Sequence, residues 1–410
     1  MSLTNTKINK NYFYSSGKSY IIIVEQKISV DSVIIYIFNK GNNLFMNLSK
    51  SIDFLLDNAG VIIQYRLKKE ILNNLTKTEE ENLLEQIQNT PHFKLVQSYV
   101  KPNGYIGSGA HSWANWGGVC LQETPLQDGE AAARLLSYYA IPKSHPIIQN
   151  FVKAMCDNDT MRKEFSYIPP EINRYESRFI GINSGNCLMA LIYVMQALIG
   201  YGDNDANVQD FQRISLKGFE RILEISSLDE ITKKRNGKEY IEWDEYFPNA
   251  YTLEMLAYTQ NWRTPQNIRT IANALNHIKS IITSYTHFYI KINNKFVGPG
   301  WELSRPIKPF KTNISDTMMY RRPLTEIAML GVGENVEVIR ESIVNIEESI
   351  NNDGILRADL KFPKTKGYSP HPTAYGDIQL ELDYKRKYAL ECDLTFWAVQ
   401  FLYLCNNYTL

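Results

Sequence analysis

Along the chain the spacing of apolar positions changes once. Residues 20–38 (YIIIVEQKISVDSVIIYIF) are dense in Ile and Val, which fits one or two strands or a helix distorted by β-branched side chains; the spacing does not separate the two. From Leu48 the apolar positions recur at helical period. Ile52, Leu55 and Leu56 share a face, then Ile62, Ile63, Leu67, Ile71 and Leu72, then Leu83, Leu84 and Ile87. A loop rich in Gly and aromatic residues follows, Pro102 to Gly118. The next helix opens near Asp128, a residue type suited to a cap or a first turn, and stops at Pro142. Ser144 and Pro146 read as a cap and an early-turn proline. Further helices are predicted over 184–200, 206–225, 249–259, 266–284, 323–331, 335–350 and 387–405.

No stretch has the composition of a flexible linker, so residues 46–410 are expected to form one domain. Residues 1–45 form an N-terminal extension, a short hairpin or an outer helix. Helix–loop–helix units recur roughly every 45–60 residues without tight identity, a degenerate helical repeat that can stack as an open solenoid or close into a ring. The segment 184–200 (SGNCLMALIYVMQALIG) is apolar nearly all round, as an inner helix wrapped by outer ones would be. The expected fold class is all-α.

One segment, Asp53–Gly109, carries a family likeness. It reads FLLDNAGVIIQYRLKKEIL from Phe54, then a charged helix, then HFKLVQSYVKPNGYIGSG. The unit formed by Gln97, Asn103-Gly104-Tyr105 and Gly107 resembles the repeat of squalene-cyclase-like proteins and the prenyltransferase/squalene-oxidase group. Asn352-Asp353-Gly354-Ile355 echoes it. The resemblance implies an α/α toroid, an inner and an outer ring of about six helices each, around a central cavity. It does not by itself imply cyclase activity.

Composition narrows the classes. Forty-four acidic and 44 basic side chains cancel, so no long-range field of one sign gathers nucleic acid or an anionic membrane. Five scattered cysteines with no CxxC argue against a disulfide framework and a zinc knuckle, and point to a reducing cytoplasm. The first 20 residues lack the plan of a signal peptide. The longest apolar stretch, Leu188 to Ile199, is shorter than the roughly 20 residues a membrane span needs. With 26 tyrosines and six tryptophans, the chain has the aromatics to line a large core or an apolar cavity.

Five clusters could carry chemistry. Glu391-Cys392-Asp393-Leu394-Thr395 resembles the acidic motif of class II terpene cyclases, whose middle carboxylic acid protonates an alkene or epoxide. Asp393 takes the middle position and Glu391 the first; Leu394 replaces the third acid. The alternative is two acids in the first turns of a helix, interacting with its positive end. Tyr375, Asp377, Glu381 and Tyr384 form an ionisable loop nearby, either acid–base groups at a cavity mouth or a solvated, salt-bridged loop. His111, Trp113 and Trp116 occupy a Gly-rich loop ahead of Asp128 and Glu130, as ligand-contacting residues or as a plug. Trp243 precedes Tyr251, Glu254 and Tyr258 on one helix face. These could hold a cation or sugar, or form a core whose tyrosine hydroxyls meet Glu254. Trp301, Arg321 and Arg322 with Glu326 read as an anion clamp ahead of a helix, or as a buried Arg–Glu pair.

Several signatures are missing. Gly331-Val332-Gly333 lies between helices, not after a strand. Asp203-Asn204-Asp205 lacks the rest of a calcium loop. There is no Walker motif, DDxxD, GxSxG or HExxH, and no cofactor or metal is expected. The leading expectation is a toroid acting on an isoprenoid or other apolar small molecule by acid-initiated chemistry, with Asp393 as the acid, tuned by Glu391 and Tyr384. The alternatives are a carbohydrate hydrolase or lyase on an (α/α)6 barrel, with Trp113, Trp116, Trp243 and Trp301 stacking on sugars, and a non-catalytic ligand-binding toroid. No nucleic-acid partner and no integral membrane segment are expected.

Overall fold

The computed structural model describes residues 9–15, 18–24, 42–107, 109, 128–164, 191–203, 205–242, 244–283, 288–292, 294–297, 307–312, 315–350, 352–357, 380–381 and 386–407. Among them the protein is mostly helical. The helices are α1 (Asn42–Asn58), α2 (Val61–Arg66, continued by a π-helical turn Leu67–Ile71), α3 (Lys77–Gln88), α4 (Pro91–Ser98) and α5 (Gly129–Tyr138). Then come α6 (Pro146–Cys156), α7 (Asn158–Glu164), α8 (Leu191–Leu198), α9 (Ala206–Ile222) and α10 (Ala250–Ala257). The last four are α11 (Pro265–Ile281), α12 (Ser315–Met329), α13 (Glu337–Ser349) and α14 (Ala389–Asn407). No described helix is long and apolar enough to cross a membrane.

Two β elements accompany the helices; the first is one of the two forms expected for the N-terminal extension, and the second was not expected. In the N-terminal extension, β1 (Asn9–Ser15) pairs antiparallel with β2 (Lys18–Val24) as a hairpin. A four-stranded sheet runs in the order β3 (Lys233–Arg235), β4 (Lys238–Glu242), β5 (Tyr289–Ile292), β6 (Lys295–Val297), with β4 and β5 parallel. Its turn was legible: Asn236-Gly237 takes φ of 52° and 72°, the left-handed pair that a two-residue hairpin turn needs.

Helix ends follow local chemistry. Thr76 and Glu79 form a capping box at α3, and the side chains of Thr90, Asp128, Asn249 and Thr264 accept backbone N–H groups at α4, α5, α10 and α11. The predicted helix at 323–331 instead starts at Ser315 and runs through Pro323. Arg321 and Arg322 therefore lie inside α12, which removes the reading of an anion clamp at a helix N-terminus.

From α4 onward, apart from the single residue between α6 and α7, the connections fall into two classes. Residues 139–145, 199–205, 258–264 and 330–336, seven each, join α5 to α6, α8 to α9, α10 to α11 and α12 to α13. Three of them leave the helix through a left-handed residue: Ala140 (φ 51°), Gly200 (φ 84°) and Gly331 (φ 78°). Ile141 N–H donates to Leu136 O and Tyr201 N–H to Gln196 O, the wider bond of a Schellman stop. Gly331, set aside as a nucleotide loop, ends α12 in the left-handed conformation, its N–H donating to Ala328 O. Asp203 ties two of these turns together, its Oδ1 accepting the N–H groups of Gln260 and Asn261 at 2.8 and 3.0 Å. The connections into α5, α8, α10, α12 and α14 span 26 to 39 residues, and the four-stranded sheet is built from two of them.

The repeat suspected from Asn103-Gly104 and Asn352-Asp353-Gly354 is structural. After α4, Val100 bridges Ile106; after α13, Ile350 bridges Leu356. In each loop the side chain of the residue before glycine accepts the N–H of the residue after it: Asn103 from Tyr105 at 3.1 Å, Asp353 from Ile355 at 3.2 Å. Gly104 and Gly354 have φ of +88° and +80°. A Cβ there would meet Asn150 O of α6 at 2.7 Å and Ser51 N of α1 at 2.6 Å.

Candidate functional site

α5, α10 and α12 carry few charges, and those charges meet in the interior. Glu130 and Arg134 are one helical turn apart on α5, as are Arg322 and Glu326 on α12; Glu254 of α10 stands between the pairs. Arg134 Nη1 lies 2.5 Å from Glu254 Oε1, and its Nη2 donates to Glu130 Oε1 at 3.0 Å. Arg322 Nη2 lies 2.9 Å from Glu254 Oε2, and its Nε donates to Glu326 Oε1 at 2.7 Å. The result is an alternating chain, Glu130–Arg134–Glu254–Arg322–Glu326, with every member at most 2% exposed. Glu254 was read as an acceptor of tyrosine hydroxyls; it is the bridge between two guanidinium groups.

Burial costs each of these charges heavily, and only mutual pairing offsets it. Burial opposes the charge on Arg134, yet Glu254 and Glu130 hold its pKa well above the ordinary value. Burial lifts the Glu326 carboxyl to about 7; Arg322 pulls the other way, and Glu254 adds to the rise. The Tyr258 phenol, raised by burial and then by Glu326 and Glu254, stays a neutral donor.

A cavity of about 460 Å³ adjoins the Glu326 end of the chain. Its wall takes side chains from α2 and its π turn, α5, α12 and α14, with Tyr258 at the end of α10. Two further ion pairs face it. Arg66 holds Glu70 through two bonds of 2.9 Å and lies over the Phe396 ring, 5.2 Å from its centre. Arg321 Nη2 is 3.8 Å from Asp393 Oδ2, while Asp393 Oδ1 accepts the Leu380 N–H at 2.9 Å. Trp397 Nε1 donates to Thr325 Oγ1 at 2.9 Å, fixing its indole against the same wall. Among the described residues, no group of three His, Cys, Asp or Glu side chains is set to hold a metal ion.

Of the residues singled out from sequence, Asp393, Arg321 and Arg322 line this cavity, and Glu254 lies behind Arg322. Glu391 is in the first turn of α14 and outside the cavity wall, matching the blander reading of that acid. Asp128 caps α5, its Oδ1 accepting the Ala131 N–H at 2.7 Å. Tyr251 is buried in the first turn of α10. Glu381, 1% exposed, caps α2: it accepts the Gly60 N–H at 2.6 Å and pairs with Arg386 at 2.7 Å. His111, Trp113, Trp116, Trp243, Trp301, Tyr375, Asp377 and Tyr384 lie outside the described residues.

Sequence reasoning passed over Arg134, Arg66, Glu70 and Tyr138, and met Glu130, Tyr258 and Glu326 only as neighbours of other candidates. The available signal was opposite charges four residues apart, at Glu130/Arg134 in a helix otherwise without charge and at Arg322/Glu326, with Arg66/Glu70 at the same spacing in a more polar segment. On an exposed face such pairs are commonplace; in helices this apolar they mark an interior contact. No protein-family model matches the chain, and neither a curated protein nor a solved structure does.

Proposed function

We propose that the chain is a divergent, squalene-cyclase-like α/α toroid that binds a small molecule in its central cavity and acts on it by acid-initiated chemistry, with Glu326 as the proton donor. The ring reading is supported by packing order. α5 packs on α8, α8 on α10, α10 on α12, α12 on α14 and α14 on α2, while α1 packs on α14 and α2, α9 on α8 and α10, α13 on α12, and α11 on α9. In such an alternation every outer-to-inner connection leaves from one end and every inner-to-outer connection from the other. From α4 onward the long and the seven-residue connections divide in that way, whereas α1 passes to α2 directly through Ala59-Gly60.

The observation that carries the chemistry is the Glu326 carboxyl. It is 2% exposed, stands on the cavity wall, and is tied to Arg322 through Oε1. A general acid needs its proton near the working pH and access to the substrate; burial raises this carboxyl and it faces the cavity, which supports the role. Asp393 was the expected acid. Its carboxylate already accepts a backbone N–H and faces Arg321, so it takes the role of a positioning residue. Phe396, Trp397 and the Tyr138 and Tyr258 rings line the space where positive charge would develop.

A non-catalytic binding toroid is the second reading, favoured by the pairing of every cavity arginine with a carboxylate, the signature of a structural network. Native mass spectrometry of the purified protein identifies a retained small molecule. Turnover of that molecule by wild type and its loss in Glu326→Gln, with binding kept, is the expected result. Unchanged turnover in the variant removes Glu326 from the chemistry, and absence of any turnover selects the second reading.

A further inference from the structure

Tyr258 stands on the cavity wall, and its hydroxyl has no hydrogen-bond partner among the described residues. The Thr325 hydroxyl on the same wall is fully used: it donates to Arg321 O at 2.9 Å and accepts the Trp397 Nε1–H at 2.9 Å. A hydroxyl turned into a cavity, and not onto the protein, takes its acceptor from whatever fills the cavity.

Glu326 is engaged on one side alone. Its Oε1 accepts the Arg322 Nε–H at 2.7 Å, and its Oε2 has no hydrogen-bond partner among the described residues. The two groups are neighbours. Glu326 acts on the phenol more strongly than Glu254 does, although Glu254 is one turn away on the same helix. The Tyr258 ring packs against two buried apolar clusters, one holding Tyr251 and Met255 and the other Leu253 and Leu256, which fixes where its hydroxyl points.

We propose that Tyr258 is a second hydrogen-bond donor to the substrate, acting with Glu326 on one oxygen atom, and that the substrate is therefore an uncharged carbonyl compound, a ketone or an aldehyde. This rests on the reading of Glu326 as the proton donor of the cavity and names the atom it acts on. A carbonyl oxygen carries two lone pairs in one plane and accepts from both donors at once. An alkene carbon would leave the phenol unpaired. An alcohol would add a donor to a site that already offers two. A carboxylate would compete with Glu70, Asp393 and Glu326 for guanidinium groups they already hold.

The step balances on these groups. As the proton moves from Glu326 Oε2 towards the carbonyl oxygen, the C=O π pair shifts onto that oxygen. Positive charge grows on the carbonyl carbon, in the space lined by Phe396 and Trp397. Glu326 becomes a carboxylate paired with Arg322. Tyr258 keeps its own proton, because burial and the two acids hold the phenol neutral. Its hydrogen bond to the second lone pair lowers the cost of the shift.

The test uses the full chain and two probes of matched shape, acetophenone and α-methylstyrene, in which a CH2 group replaces the oxygen. Both are titrated at pH 6, below the value of about 7 to which burial lifts Glu326. Tyr258→Phe removes a hydroxyl that holds nothing in the fold. It should weaken acetophenone about tenfold and leave α-methylstyrene unchanged. With carbonyl-13C acetophenone, the bound signal of wild type should lie downfield of the free probe, and Tyr258→Phe should move it upfield. The wild-type signal keeps the test open even where the variant fails to fold. Equal weakening of both probes, or of neither, overturns the second donor and leaves Glu326 and the cavity standing. A bound signal upfield of the free probe overturns the carbonyl class. Failure of both probes to bind overturns the cavity reading as well.

Discussion

Arg134 and Glu254 are 120 residues apart in sequence and 2.5 Å apart in space, both nearly inaccessible to solvent. Glu254 also receives Arg322, so a single carboxylate on α10 joins α5 to α12. Removing it leaves two buried guanidinium groups short of a counter-charge. Glu254→Leu is expected to destabilise the fold by about 3–5 kcal/mol, the usual result of breaking a buried pair from one side. Urea denaturation measures it. The exposed pair Arg213–Asp210, at 3.0 Å, is the control, and Arg213→Ala should leave the urea midpoint nearly unchanged. Equal losses would mean that the buried chain contributes no more than a surface pair.

The raised carboxyl of Glu326 ties stability to pH. Its folded pKa, about 7, lies above the ordinary 4.5, so between those values the native protein holds a proton that the unfolded chain releases. The stabilisation is whole below about 4.5 and is lost as pH rises through about 7. The difference in unfolding free energy between wild type and Glu326→Gln should therefore shift against wild type as pH goes from 5 to 8. A constant difference across that range would contradict the protonated state.

The two glycines of the recurring loop are expected to resist substitution for two reasons at once. Gly104→Ala and Gly354→Ala each put a Cβ in a left-handed residue and against the backbone of a neighbouring helix. A loss of about 2 kcal/mol or more in each is the expectation. Gly237 has φ +72° with nothing within 4 Å of its Cβ position, so Gly237→Ala carries the conformational strain alone, about 1 kcal/mol. Thermal melts of the three variants separate crowding from strain.

Thiol chemistry should divide by burial. Burial lifts the Cys392 and Cys405 thiols to about 12, and Cys156 is exposed. At pH 8 iodoacetamide should alkylate Cys156 within minutes and spare Cys392 and Cys405 until the protein unfolds. Peptide mass mapping reads this directly. Rapid labelling of Cys392 would place it on an opened surface of α14.

The sequence determined the elements whose physics is local. Apolar spacing located α9, α10, α11, α13 and α14 to within a few residues. Asp128 was legible as a cap because its side chain answers an N–H three residues away. The recurring Asn/Asp-Gly loop was legible because a left-handed residue beside an acceptor side chain selects those residue types wherever it occurs. The four-stranded sheet was missed because its strands are three to five residues long and the parallel pair joins segments about 50 residues apart, beyond any local period. The charged chain was decided only by tertiary structure. Glu130 was read only beside Asp128, Glu254 only with its tyrosines, and Glu326 only as a possible partner of Arg321 and Arg322, the last a pairing that the structure contains. What brings them together is that three helices deliver them, with Arg134 and Arg322, into one buried cluster, where each charge needs the others. Asp393 shows the converse: its motif suggested an acid, and the fold surrounds it with Arg321 and the Leu380 N–H, while burial raises the carboxyl of Glu326 instead.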